Sequence, residues 1–167
     1  MRFFPRLLLI GIAGAALSAP IAPVIGQRGD DQINPKSLEL QKQARAAYSA
    51  GKFDQAEDLL ETALAVDPRN RGAFVDIGRV AEKQHLFGKA IRMTNRALQL
   101  DPNDADALAV QGEAMVELGA AARAQANLQK LQTLCRQGCP QLAQLSAAIS
   151  RGPTVASAKA PDSPKSN

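Results

Sequence analysis

Tryptophan is absent from the 167 residues, aromatic side chains make up 4% of them, and histidine occurs once, at His85. So few large rings argue against sheets built on aromatic or β-branched faces, whereas Ala, Leu and Gln recur throughout and suit closely packed helices. The expected fold class is all-α. A single histidine leaves no Ser/His/Asp or Cys/His set to assemble, and no glycine-rich phosphate loop occurs, so no catalytic residue and no cofactor is expected. His85 lies a repeat length or more from the two cysteines and is expected as an exposed turn residue rather than a metal ligand. Nucleic acid is not an expected partner either. The 20 Lys and Arg are dispersed among 16 Asp and Glu, the net charge is only +4, and no aromatic platform is present to stack bases.

The two ends of the chain differ from its middle. Met1 to Arg6 carries two arginines and Leu7 to Gly26 carries no charge, the order of a secretory leader. Pro20 and Pro23 disfavour cleavage after Ala19 or Ala22, so residues 1–26 are expected as a signal peptide cut near Gly26. Without Arg2 and Arg6 the charge becomes 18 − 16 = +2. A retained anchor is the alternative, because about 20 uncharged residues can span a bilayer, although the prolines would break its last turns. No cysteine lies near the cut to take a lipid. The expected location is periplasmic or secreted, with no membrane contact after cleavage. Residues 27–34 are expected as a linker, whose Arg28-Gly29-Asp30 triplet is taken as chance, and residues 152–167, rich in Pro, Ser, Ala and Lys, as a disordered tail.

Between the ends the chain superposes on itself at a shift of 34 residues. Phe53 falls on Phe87, Ala56 on Ala90 and Ala124, Ala63-Leu64 on Ala97-Leu98, Asp67-Pro68 on Asp101-Pro102, and Gly78 on Gly112. Each block divides at Gly51, His85 or Gly119 into two apolar-periodic stretches, which predicts an antiparallel helical hairpin. Small residues at Ala44, Gly78 and Gly112, and at Ala56, Ala90 and Ala124, let the paired helices approach closely. Pro68 and Pro102 end the second helix of their hairpins, and Asn34-Pro35 starts the array with a capping side chain followed by proline at the first helical position.

With these residues in register, the chain from about Pro35 to Gly138 resembles the tetratricopeptide repeat family. The second repeat carries its eight signature positions on Phe74, Ile77, Gly78, Ala81, Ala90, Thr94, Ala97 and Pro102. The first matches at Leu40, Ala44, Ala47, Ala56, Leu60, Ala63 and Pro68, with Gln43 departing; the third keeps Leu108, Gly112, Met115, Ala124 and Leu128 but has Leu131 and Arg136 in place of a small residue and proline. Drift of this kind suits a terminal repeat. The resemblance implies a right-handed α-solenoid over residues 35–151, with repeats at 37–70, 71–104 and 105–138 and a capping helix at 140–151, where Leu142, Leu145 and Ile149 share a face. It further implies a groove lined by the first helix of each repeat, holding a protein or peptide of unknown identity on Arg45, Tyr48, Val75, Arg79, Lys83, Ala109, Glu113 and Val116. The bland reading is that these charges only keep the inner helices soluble. Reversing the charge of Arg79 is expected to abolish capture and leave the fold intact. Chaperone adaptors of the family hold a C-terminal carboxylate in a basic and Asn clamp; the matching positions here are Gln41, Arg45, Asp76, Asp106 and Val110, which do not reproduce it.

Cys135 and Cys139 flank Gly138 in the turn before the cap. In an oxidising compartment they read as a disulfide pinning the cap to the solenoid; free or intermolecular thiols and a redox or metal role stay open at this point. The functional expectation is a non-enzymatic adaptor or scaffold of the cell envelope, with self-assembly through the solenoid ends, or a thiol-redox role for the cysteines, as alternatives.

Overall fold

The computed structural model describes residues 32–154. The expected leader, the Arg28-Gly29-Asp30 triplet and most of the expected tail lie outside the described residues. Within them the chain forms seven helices and no strand: α1 (Pro35–Ser49), α2 (Phe53–Val66), α3 (Arg71–Lys83), α4 (Phe87–Leu100), α5 (Ala105–Glu117), α6 (Ala121–Leu134) and α7 (Pro140–Arg151). The first six pair as hairpins, and α1, α3, α5 and α7 lie side by side in a row. No helix among the described residues is long and apolar enough to cross a membrane.

Two loop devices, each repeated, set this path. Inside the hairpins Gly51 and Gly119 have φ +73°, and His85 takes the same left-handed conformation at φ +58°. There the next residue's N–H reaches back to the helix, from Lys52 to the Ala47 carbonyl at 2.9 Å, Leu86 to Ala81 at 2.7 Å and Ala120 to Met115 at 2.8 Å. Between hairpins the Asp67 and Asp101 carboxylates each accept the N–H two residues on, from Arg69 at 3.0 Å and Asn103 at 2.9 Å. Asn70 and Asp104 then cap α3 and α5 by accepting the N–H of Ala73 at 3.1 Å and of Ala107 at 2.8 Å. Pro68 and Pro102 cannot continue the preceding helix, so chain direction changes at the same place in each unit.

Packing confirms the 34-residue register. Ala56, Ala90 and Ala124 are each fully buried. A Cβ at Gly78 would lie 2.9 Å from Thr94 Cγ2, on the paired helix α4. At Gly112 the nearest contact is a different one: a Cβ there would lie 2.6 Å from Leu145 Cδ1, so this glycine makes room for the cap. Leu131, the departure in the third repeat, is wholly buried in a cluster with Leu108, Leu128 and Leu145. A large residue fits there because the cap supplies leucine instead of another repeat.

Both ends of the solenoid extend further than the boundaries read from composition. Ile33, assigned to a linker, is 7% exposed, and the Asn34 N–H donates to Asp67 at 3.0 Å while its side chain caps α1 at Lys36 N, 2.9 Å away. At the other end Gly152 and Pro153 are half-buried, and Thr154 donates from its N–H and its hydroxyl to Glu117 Oε2, both at 2.8 Å. Cys135, the C-cap of α6, and Cys139, the N-cap of α7, are paired with Cα atoms 5.6 Å apart.

Candidate functional site

The row α1, α3, α5, α7 exposes one face along which polar side chains cross from helix to helix in two tiers. The first tier is a closed network. Asp76 on α3 accepts from Gln41 Nε2 at 2.7 Å and Arg45 Nε at 2.6 Å, both on α1, and from Arg79 Nη1 at 2.9 Å. Arg79 Nη2 reaches Asp106 on α5 at 2.6 Å, and Asp106 also accepts from Gln141 on α7 at 3.1 Å. Burial opposes the charge on Arg79, and the carboxylates of Asp106 and Asp76 outweigh it, so its pKa is raised. Two carboxylates and one guanidinium thereby tie four helices together.

The second tier lies toward the C-terminal ends of the same helices and has a different balance. It contains Tyr48, Glu82, Lys83, Glu113, Glu117 and, from the cap, Arg151. Burial pushes the Glu82 carboxyl up to about 8, and Glu113 adds to the shift, with Lys83 and Arg79 opposing it and Glu117 a lesser contributor. Burial also raises Glu113, against Arg151, a hydrogen bond from Gln144, Arg79 and Lys83. Its Oε1 is buried with no hydrogen-bond partner among the described residues. Tyr48 is raised by burial and then by Glu82. Arg151 lies 3.9 Å from Glu117, and Lys83 projects into solvent.

Where α1 and α3 diverge above α2, a cleft of about 260 Å³ opens between the tiers. Its apolar lining is Ala44, Tyr48, Leu60 and Val80, and Arg45, Ser49, Asp76 and Arg79 supply the polar part. The Tyr48 ring is held edge-on to Phe53 with centroids 5.6 Å apart. A smaller hollow of about 160 Å³ is lined by Glu82, Lys83, His85, Phe87, Glu113, Glu117, Arg151 and Thr154.

Of the groove residues expected from sequence, Arg45 and Lys83 are exposed and Tyr48, Arg79 and Glu113 half-buried, all on this face. Val75, Ala109 and Val116 are not available to a partner: they are 2%, 1% and 3% exposed. Val75 is in a cluster with Ala107 and Val110 of α5, Ala109 in one with Leu145 of the cap, and Val116 in one with Met115 and Ile149. Each neighbouring inner helix covers a flank that single-helix periodicity leaves open. Arg79 is likewise a strut between Asp76 and Asp106, so reversing its charge would assemble three carboxylates and disturb the fold. The clamp positions are closed in the same way, since Asp76 occupies Gln41 and Arg45, and Val110 is 1% exposed.

Single-repeat reasoning missed Gln141, Gln144 and Arg151. Carrying the 34-residue shift once more would have found two of them: Gln144 follows Asp76 and Val110, and Arg151 follows Lys83 and Glu117. The cap occupies the place of a fourth inner helix.

The sequence model of the tetratricopeptide repeat family matches residues 42–105, from the first hairpin through the second. Among solved structures, the Sgt2 TPR domain from Aspergillus fumigatus superposes with a TM-score of 0.65 at 19% identity, covering 80% of this chain and 92% of that one. The first TPR of Spaghetti (RPAP3), bound to the HSP90 peptide SRMEEVD, gives 0.62 at 21% identity, covering 69% and 96%. The TPR2B domain of yeast Sti1, in its pHsp70 complex, gives 0.64 at 19% identity, covering 71% and 98%. No match was found among curated protein sequences. At these identities the likeness is one of fold, and the fold is the tetratricopeptide-repeat solenoid.

Proposed function

We propose that this chain is a non-catalytic adaptor of the cell envelope that binds a peptide or protein segment on the face formed by α1, α3, α5 and α7. The observation that carries the reading is the apolar cleft of about 260 Å³ between α1 and α3, held open by ion pairs that already span the row of helices. A recess of this kind accepts a partner side chain without reorganising, and a polar surround fixes its direction. The solved domains of the same fold in complex with HSP90 and Hsp70 peptides support a binding role for such a solenoid. The carboxylates Asp76 and Asp106 argue against an acidic chain end as the ligand here, because they already engage the cations such a ligand would need.

Export rests on the order of charge and apolar residues in Met1 to Gly26, and the pairing of Cys135 with Cys139 fits an oxidising compartment. Ser49 is exposed at the end of α1 and lines the cleft, so Ser49→Trp plugs it with little cost to packing. Capture of a partner from an envelope extract should be lost in Ser49→Trp with an unchanged thermal melt. Equal capture by both proteins would remove the groove reading. Fractionation of cells expressing the full chain tests the location separately: a cytosolic, unprocessed product would refute export.

A further inference from the structure

We propose that the groove selects a segment carrying an apolar side chain next to a lysine or arginine, the apolar group entering the α1–α3 cleft and the cation the hollow between α3, α5 and α7. This rests on the groove reading above and adds the chemistry of its partner.

The argument is one of charge left over after internal pairing. In the first tier Arg45 and Arg79 are both bound to Asp76, and Arg79 also to Asp106. In the second tier neither Glu82 nor Glu113 has a cation within salt-bridge distance among the described residues, and one Glu113 oxygen is buried and unmet. Two cations are nearby, but Arg151 is directed to Glu117 and Lys83 is exposed. A buried carboxylate without a partner is costly, and the cost is recovered when a cation arrives. The cation assigned to this hollow is the side chain of a lysine or arginine, which a peptide carrying an apolar group for the cleft can bring with it.

Spacing fixes the order of groups. On α3 the cleft is lined by Asp76, Arg79 and Val80, and the hollow begins at Glu82 and Lys83. That is about one helical turn, or roughly 5 Å along the axis. Consecutive residues of an extended segment are about 3.3 Å apart and alternate ones roughly 7 Å, so the two side chains come from adjacent or next-but-one positions. Tyr48 borders the cleft and feels Glu82 and Glu113 electrostatically, which puts the two recesses within reach of one segment. The groups facing Glu82 are Arg79 and Lys83 on its own helix, Glu113 and Glu117 on α5 and Tyr48 on α1, with His85 of the α3–α4 turn and Arg151 of α7 lining the same hollow. A carboxyl that is still protonated near neutrality must release its proton to hold a cation, so binding tightens as pH rises from 6 to 8.5.

The test is selection of a phage-displayed library of random dodecapeptides on the full chain, followed by titration of the enriched peptides. The expected result is enrichment of apolar residues adjacent to, or one removed from, Lys or Arg. Affinity should fall about tenfold in Glu82→Gln/Glu113→Gln, be unchanged in Glu61→Gln on the exposed side of α2, and be abolished by Ser49→Trp. Acidic enrichment, or enrichment without charge preference that Ser49→Trp still abolishes, overturns this inference and leaves the groove reading standing. No enrichment either on the full chain or on one lacking residues 155–167, or enrichment indifferent to Ser49→Trp, overturns both. If enrichment emerges only after residues 155–167 are removed, the occupant is this chain's own C-terminal segment, with Lys159 and Lys165, and assignment to a partner is refuted.

Discussion

The two tiers of the groove face draw on the same four helices, yet one closes on itself and the other does not. Asp76 meets three donors from two helices at 2.6 to 2.9 Å, while Glu82, six residues further along the same helix, is half-buried beside two more glutamates. The difference lies in what the neighbouring helices present. Opposite Asp76, α1 offers Gln41 and Arg45; opposite Glu82 it offers Tyr48, and α5 offers Glu113. A carboxylate on an inner helix is thus a strut or an unmet charge according to its lateral neighbours, and its own sequence context is much the same in both cases.

Arg79→Glu breaks the comparison most severely, by converting the closed tier into a third acid among two. Arg79 is 33% and Asp106 48% exposed, so the cost should fall below the roughly 3–5 kcal/mol of a fully buried pair, read as a lowered urea midpoint. Glu82→Gln sharpens the comparison from the other side. The Glu82 carboxyl is raised from 4.5 to about 8 in the folded chain, so its contribution to stability is fully present below about pH 4.5 and is lost as pH rises through about 8. The amide should therefore raise stability at pH 8.5, by at most the roughly 5 kcal/mol that a rise from 4.5 to about 8 represents at about 1.4 kcal/mol per unit, and flatten the melting profile between pH 5 and 8. A profile identical to that of the parent would show that Glu82 is solvated. Asp67 works in the opposite sense. The side-chain hydrogen bond from Arg69, with the backbone N–H groups of Asn34 and Arg69, holds its carboxyl well below the usual range, so that stabilisation is present above about pH 3.8 and lost in acid.

Smaller effects are expected at the junctions. Cys135→Ser/Cys139→Ser opens a short loop between α6 and the cap and should cost about 2 kcal/mol or less, with the loss confined to α7 amides in hydrogen exchange. His85→Gly should stabilise by about 1 kcal/mol, because a non-glycine residue bears the left-handed conformation that Gly51 and Gly119 take freely. If His85→Gly instead lowers the melting temperature, the edge-on contact of His85 with Phe87, centroids 5.8 Å apart, outweighs that strain.

Legibility of these features in the sequence follows the range of the interactions that make them. The hairpins, the buried Ala56, Ala90 and Ala124, the caps at Asn70 and Asp104 and the turn at His85 arise from contacts within a unit or from one unit to the next. They recur every 34 residues and can be read by superposition. The expected surface anchors Val75, Ala109 and Val116 failed because their side chains are covered from the side by an adjacent inner helix. The buried Ile33, the Asn34 N–H bonded to Asp67 and Thr154 bonded to Glu117 lie beyond what composition marks, because those partners are distant in sequence. Composition alone carries no trace of those contacts.

By itself the sequence determined the all-α class, the repeat length, the turns and the small residues that permit close packing, because these follow from local conformation and a regular spacing of apolar groups. Only the tertiary structure decided which polar residues of the groove are already satisfied. That depends on the lateral approach of α1, α3, α5 and α7, where Arg79 finds Asp106 at 2.6 Å and Glu113 keeps a buried oxygen unmet. Whether a charge is available to a partner is a property of the assembled face and not of the residue that bears it.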